Sequence, residues 1–400
     1  MTYRKFSADH LFTGYEMLDD HYVLIVSSDG TIQDIRQKTN TDDQIESFHG
    51  ILCPGFINSH CHLELSHMKE LIPEQKGLVD FVFAVVTQRH FPQEEIYDAI
   101  SRAEEEMLNR GIVAVGDICN NADTIAQKRK GRLKYYNFIE VSGWSPQIAE
   151  SRFSKSKSFF DSFRNISFSD PGQKLSMAPH APYSVSDPLW DLIIPFFRNK
   201  TTSIHNQESR FENEFFIRGS GDFTRMYELM NIDNSFFKPS GKSSLQSYLP
   251  KLKDAANTIL VHNTFIQEED INYSLAVEEQ SRSGTNLFFC VCANANLYIE
   301  NKVPPIDLLR KHGSKIVLGT DSLASNHQLD ILAEIKTIHQ YFPEIPLNEL
   351  LQWATINGAG SLQMDDVLGS FTKGKKPGIV LIENINGLKP DKSSIARKIL

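Results

Sequence analysis

The chain has 400 residues, with 41 Lys and Arg against 50 Asp and Glu, and a formal net charge of −9. That length suits two ordinary domains, or one barrel of about 250 residues or more plus a smaller module. The acidic balance excludes a nucleic-acid footprint, and no run nears the roughly 18 apolar residues of a membrane span. No charged-then-apolar leader opens the chain, so a soluble, cytoplasmic protein is expected. Its five cysteines, Cys53, Cys61, Cys119, Cys290 and Cys292, are odd in number and fit no zinc-ribbon spacing. Most lie in apolar runs and are expected to be buried, reduced thiols. The densest basic cluster, Lys128-Arg129-Lys130 with Arg132, reads as a solvated helix end.

Residues 1 to about 50 read as short strands. The runs from His21 to Ser27 and from Thr31 to Ile35 flank Ser28-Asp29-Gly30, a hairpin pattern. This piece is too small to stand alone. The last 35 residues again alternate turns and short strands, around Gly374-Lys-Lys-Pro-Gly and Ile379-Val-Leu-Ile-Glu. We therefore expect a β-sandwich from residues 1–52 and 366–400, with a catalytic domain of residues 53–365 inserted between them.

Within the insert, eight apolar runs alternate with amphipathic segments. The runs are Gly55–Glu64, Gly111–Ile118, Leu133–Val141, Lys174–His180, Thr201–Glu208, Thr258–Phe265, Asn286–Asn294 and Lys315–Ser322. The helical segments are Glu94–Arg110, Asp187–Arg198, Glu268–Ser283, Ile306–His312 and Leu329–Tyr341. In the first, Ile96, Ile100, Ala103, Met107 and Leu108 fall near one face. Eight strand–helix repeats imply an α/β fold, a closed (β/α)₈ TIM barrel. A doubly wound sheet would carry a Gly-rich phosphate turn after its first strand, and Ser59-His60-Cys61-His62 is no such turn. The long connection from Ser209 to Asn257 carries two Gly/Ser-rich knots and reads as a structured loop over the active face. Its Gly-Lys-Ser lacks the glycine spacing and the preceding strand of a P-loop.

Chemistry in such a barrel sits at the C-terminal ends of the strands. The first run ends in His60, His62 and Glu64, with the two imidazoles on one face and Cys61 on the other. The fourth ends in Pro179-His180-Ala-Pro-Tyr183. The fifth carries His205 and Glu208, the sixth His262, and the eighth Asp321 and Ser322. Each alone has a plain structural account, a histidine or carboxylate capping an element. Together, His60, His62, His205 and Asp321 form a mononuclear set for Zn²⁺, with Fe²⁺ an alternative. A divalent ion there would lower the pKa of a water to about 7. Asp321 would also orient that water, His262 would polarise it, and Glu208 would shuttle the proton to a ring nitrogen and then to the leaving amine. The structural alternative for Glu208 is a surface residue that starts a helix.

These motifs, Pro-Gly-Phe-Ile-Asn-Ser-His60-Cys-His62, His205-x-x-Glu208, Val-His262-Asn and Gly-Thr-Asp321-Ser, resemble the amidohydrolase superfamily, cytosine-deaminase and chlorohydrolase branch. The resemblance spans about residues 20 to 385. It implies a distorted barrel with a flanking β-sandwich, one divalent metal and hydrolytic deamination of a ring amidine. It implies His60, His62, His205 and Asp321 as ligands, with Glu208, His262 and Asp321 catalytic. No candidate stands for the carboxylated lysine of the dinuclear branches. Met177-Ala-Pro-His180-Ala-Pro-Tyr is similar to a segment of adenosine- and S-adenosylhomocysteine-type deaminases in which the histidine contacts substrate. His62-Leu-Glu64-Leu-Ser-His67 resembles deaminases of 6-aminodeoxyfutalosine. The expected substrate is thus an aminated purine nucleoside, contacted by Glu64, His180, Asn296 and Ser322. Glu64 is placed there because it shares the strand face of His60 and His62. Two departures stand out. Cys292-Ala-Asn-Ala-Asn296 replaces Cys-Pro-x-Ser-Asn, and Pro377-Gly-Ile379 replaces Ala-Asp-Leu. Alternatives are a free base (guanine or cytosine), a ring C–Cl bond, a cyclic amide, or an inactive scaffold. A small molecule is the expected partner, without nucleic acid or membrane. The assembly is open, a homodimer included.

Overall fold

The computed structural model describes residues 3–40, 42–169, 172–280 and 285–400. Five strands open the chain: β1 (Tyr3–Phe12), β2 (Met17–Asp19), β3 (Tyr22–Ser27), β4 (Ile32–Gln37) and β5 (Ile45–Pro54). Eight more follow through the centre: β6 (Phe56–Cys61), β7 (Ile112–Cys119), β8 (Lys134–Val141), β9 (Gln173–Pro179), β10 (Thr201–Asn206), β11 (Asn257–His262), β12 (Asn286–Val291) and β13 (Lys315–Leu318). Two close it, β14 (Ile379–Glu383) and β15 (Ile395–Lys398).

Strands from both chain ends share one seven-stranded sheet, in the order β15-β14-β5-β1-β3-β4 with β2 against β1. The Asp29-Gly30 turn makes the expected hairpin, since β3 and β4 pair antiparallel. β5 runs straight into β6 through Pro54-Gly55, which bolts this sheet to the central domain. The pairing of β1 with β5 shifts register between Ala8 and His10. Gly50 lies at that irregularity with φ of +118°, and its N–H donates to Asp9. A Cβ there would stand 2.1 Å from the carbonyl oxygen of Ile382 on β14. Glycine is therefore required twice, by the backbone angle and by the close approach.

The central strands form two parallel sheets, β6-β7-β8-β9 and β10-β11-β12-β13. They meet at both edges. The His205 N–H donates to the carbonyl of His180, and the N–H groups of Thr320 and Asp321 both donate to the carbonyl of His60. The result is a distorted (β/α)₈ barrel. Ile57, Ala114, Tyr136, Ile259, Val261 and Val317 belong to one cluster that fills its floor. A larger cluster packs the outer strand faces against the helices. The expected helices form as Gln93–Asn109, Asp187–Phe197, Glu268–Gln280, Ile306–Lys311 and Ile331–Tyr341. Residues 281–283 of the third expected segment lie outside the described residues. The connection after β10 folds into helices Arg210–Arg218, Asp222–Leu229 and Ser244–Tyr248. Phe215, Phe223 and Tyr227 from it pack with Leu78, Val79 and Trp144.

All five cysteines are buried and free. One expectation fails. Arg129, Lys130 and Arg132 are exposed, but Lys128 is 1% exposed. Its Nζ reaches Asp117 at 2.5 Å, Asn137 at 2.7 Å and Cys119 at 3.2 Å. The sequence of the cluster hid this because the buried acceptors come from β7 and β8. No helix among the described residues is long and apolar enough to cross a membrane.

Gly50→Ala is expected to lower unfolding free energy by about 1–3 kcal/mol, the usual cost of a forced backbone conformation. Urea denaturation followed by circular dichroism would show it as a lower midpoint.

Candidate active site

Each ligand candidate sits where a strand stops. His60 is the next-to-last residue of β6, and His62 follows the strand. His205 is on β10, and Asp321 lies just past β13. Asp321 and His262 adopt positive φ angles of 58° and 75°. Left-handed backbone in a non-glycine residue ends the strand and turns the side chain inward, at a cost carried by the surrounding fold.

The structure brings His60, His62, His205 and Asp321 together, with one nitrogen or oxygen from each inside a 4.8 Å group. His62 Nε2 is 3.3 Å from His205 Nε2. Asp321 Oδ1 is 3.4 Å from His60 Nε2 and 3.5 Å from His62 Nε2. Bonds of about 2.0–2.1 Å to a tetrahedral zinc would set ligand atoms about 3.3–3.4 Å apart, so these spacings fit one. The donor chemistry fits as well. The carbonyl of His180 can only accept, so His205 Nδ1, 2.6 Å away, carries the proton and leaves Nε2 a lone pair. Burial pushes the His62 imidazole down to about 3 and that of His205 well below its ordinary value. Burial works against the Asp321 anion, but the imidazoles of His60, His62 and His262 outweigh it and hold the carboxyl well below its usual range. Ser325 donates to the other Asp321 oxygen at 2.6 Å. The buried His60 Nε2 has no hydrogen-bond partner. Lowered imidazoles at His62 and His205, one anion and an orphaned His60 nitrogen are together what a cation would complete. A second grouping, Glu140 with His180 and His205, shares His205, whose single free nitrogen serves one ion.

Beside this nest stand Glu208 and His262, with His262 Nε2 3.5 Å from Glu208 Oε1. Glu208 is 4% exposed, two residues beyond β10, so it is not a surface residue. Burial first, and the nearby Asp321, Glu300 and Glu212, raise its carboxyl well above the usual range. Burial thus favours the protonated form of Glu208, and the carboxyl faces the cleft.

The cleft is lined by His62, Glu64, His180, His205, Glu208, His262, Asp321 and Ser322. Two substrate expectations need correction. Glu64 faces the cleft, but not by sharing a strand face. β6 ends at Cys61 and Glu64 lies on the 3₁₀ turn Leu63–Met68. Its carboxyl is held by Arg89 at 3.2 Å and by the backbone N–H groups of Asn120 and Asn121. Burial pushes it up to about 8. Asn296 is not among the cleft-lining residues. It stands behind His262, with Nδ2 3.5 Å from His262 Nδ1 and bonded to Thr264. It is the fourth residue of the helix Ala293–Glu300, whose N-cap is Cys292.

Sequence reading passed over several wall residues. Asn120 and Ser142 follow β7 and β8, and the strand-end rule that picks out the histidines points equally to them. Leu78, Phe81, Val82, Val85 and Val86 form an apolar wall from the helix Leu78–Gln88. Their helical spacing is visible in the sequence, but not which side of that helix meets the cleft.

Comparison with known proteins agrees with this geometry. The sequence pattern of the amidohydrolase family matches residues 51–396. An adenosine deaminase of Helicobacter pylori is 26% identical over 325 residues, 80% of this chain and 76% of its own length. An aminodeoxyfutalosine deaminase of Nitratiruptor sp. is 25% identical over 353 residues, 85% of this chain and 80% of its own. Among solved structures, Helicobacter pylori aminofutalosine deaminase in complex with methylthio-coformycin superposes with a TM-score of 0.78 at 22% identity. That match covers 96% of this chain and 93% of the other.

His205→Ala is expected to cut bound metal from about one ion per chain to a small fraction, since it removes one of the three imidazoles that hold the ion and leave a position for water. Elemental analysis of the purified, folded variant checks this.

Proposed function

Because the chain belongs to the amidohydrolase family, we propose that it is a deaminase of an aminated purine nucleoside, 6-aminodeoxyfutalosine or another adenosine derivative, releasing ammonia. The observation that carries the reading is the His60, His62, His205 and Asp321 nest with a proton-bearing Glu208 at its edge. The relatives matched over most of the chain are deaminases of such nucleosides by name. Buried, free thiols suit the reducing cytoplasm.

The four ligand side chains suit zinc, with iron the alternative. An ion there supplies Lewis acidity, which makes a water nucleophilic near neutral pH. The chain's own groups supply the rest. Glu208, whose protonated form burial favours, gives its proton to the ring nitrogen beside the carbon under attack. It then takes up the two protons of the attacking water in turn, delivering one to the departing amine and keeping the other, which restores its protonated form. His262, braced by Asn296, directs Nε2 toward the same water. Asp321 fixes the direction of attack, its outer oxygen tied to Ser325. Glu64, His180 and Ser322 contact the nucleoside. Chloride would leave without a proton, so a buried acid at this point favours an amine as leaving group.

An ammonia-release screen over adenosine, S-adenosylhomocysteine, 6-aminodeoxyfutalosine, guanine and cytosine tests the reading. Release from a nucleoside is expected, and release from none of them by metal-loaded protein would defeat it. Glu208→Gln is expected to keep its metal and lose about 10²–10⁴-fold in kcat. Near-full turnover in that variant would remove Glu208 from the mechanism.

A further inference from the structure

We propose that Asp117 and Lys128 are positioning residues for the metal centre: their buried pair holds the turn after β6, and so His62, in place before any ion binds. This rests on the reading of His62 as a ligand.

The argument starts from one hydrogen bond. Asp117, fully buried on β7, accepts the backbone N–H of Leu63 at 2.9 Å. Leu63 is the residue after His62, where the chain leaves β6 and enters its 3₁₀ turn. An isolated buried carboxylate would be a poor anchor, because it would move or take up a proton. Lys128 prevents that. Its ammonium, also buried, donates to Asp117 Oδ2 at 2.5 Å, and its other hydrogens find Asn137 Oδ1 and Cys119 Sγ. Three donors meet three acceptors. Asn137 in turn donates to the carbonyl of Lys174 at 3.0 Å and to the Gln173 side chain at 3.3 Å, at the start of β9. A polar chain thus runs behind β6, β7, β8 and β9, on the face away from the imidazoles.

The same end of β7 fixes the next residue of interest. The N–H groups of Asn120 and Asn121 grip Glu64. Both sides of the His62-Leu63-Glu64 turn are therefore tied to one strand end, while His62 itself receives nothing from that network but position. The neutral alternative is a buried ion pair that only contributes to folding. Such pairs are weak evidence for stability, and an apolar pair of similar volume is often as stable. That distinction makes the proposal testable.

The test compares Zn²⁺ affinity, by competition with a chromogenic chelator, in four variants checked for folding by circular dichroism. Asp117→Leu with Lys128→Met removes the acceptor and both charges, and should bind Zn²⁺ about 10–100-fold more weakly. Asp117→Asn with Lys128→Met keeps an oxygen for the Leu63 N–H and should recover most of that loss. Asn257→Ala cuts bonds from β11 to the Gly360 and Ser361 carbonyls at the barrel floor, and should lose stability with Zn²⁺ affinity unchanged. His62→Ala should lose the metal. Metal retention in His62→Ala overturns the ligand reading itself. Loss there, with unchanged affinity in the Leu/Met variant or equal weakening in Asn257→Ala, overturns the anchor alone. Wild-type hydrogen exchange gives an answer that needs no variant to fold. The Leu63 amide should be equally protected with and without Zn²⁺, and protection that appears only with Zn²⁺ overturns the proposal.

Discussion

The carbonyl of His60 is the point on which this structure turns. It accepts the N–H groups of both Thr320 and Asp321. Those bonds bring the last barrel strand to the first, and they do so at the residues whose side chains meet in the nest. Barrel closure and site assembly are therefore one event. Asn58 reinforces it, accepting the Thr320 N–H at 3.0 Å and donating to its hydroxyl at 2.7 Å. A barrel that failed to close here would separate Asp321 from His60 and His62 by the width of a strand.

Around that seam the fold concentrates polar groups that water cannot reach. Inside the barrel mouth, burial lowers the His62 and His205 imidazoles and raises the Glu208 carboxyl, opposite shifts from the same desolvation. Lone pairs on neutral nitrogens suit a cation, and a protonated carboxyl suits a leaving amine. The aromatic cluster of Trp144, Phe215, Phe223 and Tyr227 packs against Leu78 and Val79 at the start of the helix Leu78–Gln88, which walls the cleft. Arg225 pins that helix to the one at Asp222–Leu229 through Asp80 at 2.7 Å. The connection that reads as a structured loop in the sequence is thus helical, and its apolar side chains back the helix that walls the cleft.

Much of this was legible from the chain alone. The eight apolar runs place the barrel strands, because a strand buried on both faces must be continuously apolar. Six of the eight runs overshoot at their C-terminal ends, where polar site residues continue the pattern after the ladder has stopped. Glu64 shows the limit. Period-two reasoning put it on the strand face of the histidines, but the chain leaves the ladder at Cys61 and reaches the cleft by a 3₁₀ turn instead. Asn296 shows the reverse, a residue in a suggestive motif that braces His262 and does not line the opening.

The sequence by itself determined the order of the barrel strands, five of the helices, the terminal sheet and the four side chains that gather at one end of the barrel. Those follow from local periodicity and from residue types at strand ends, which are written in neighbouring positions. Tertiary structure alone decided which groups are protonated, which helix walls the cleft, and that Lys128 lies inside while Arg129 and Lys130 lie out. The reason is physical: burial and partnership are set by residues distant in the chain, and one basic residue in a cluster of three looks like the others until the acceptors of β7 and β8 are in place.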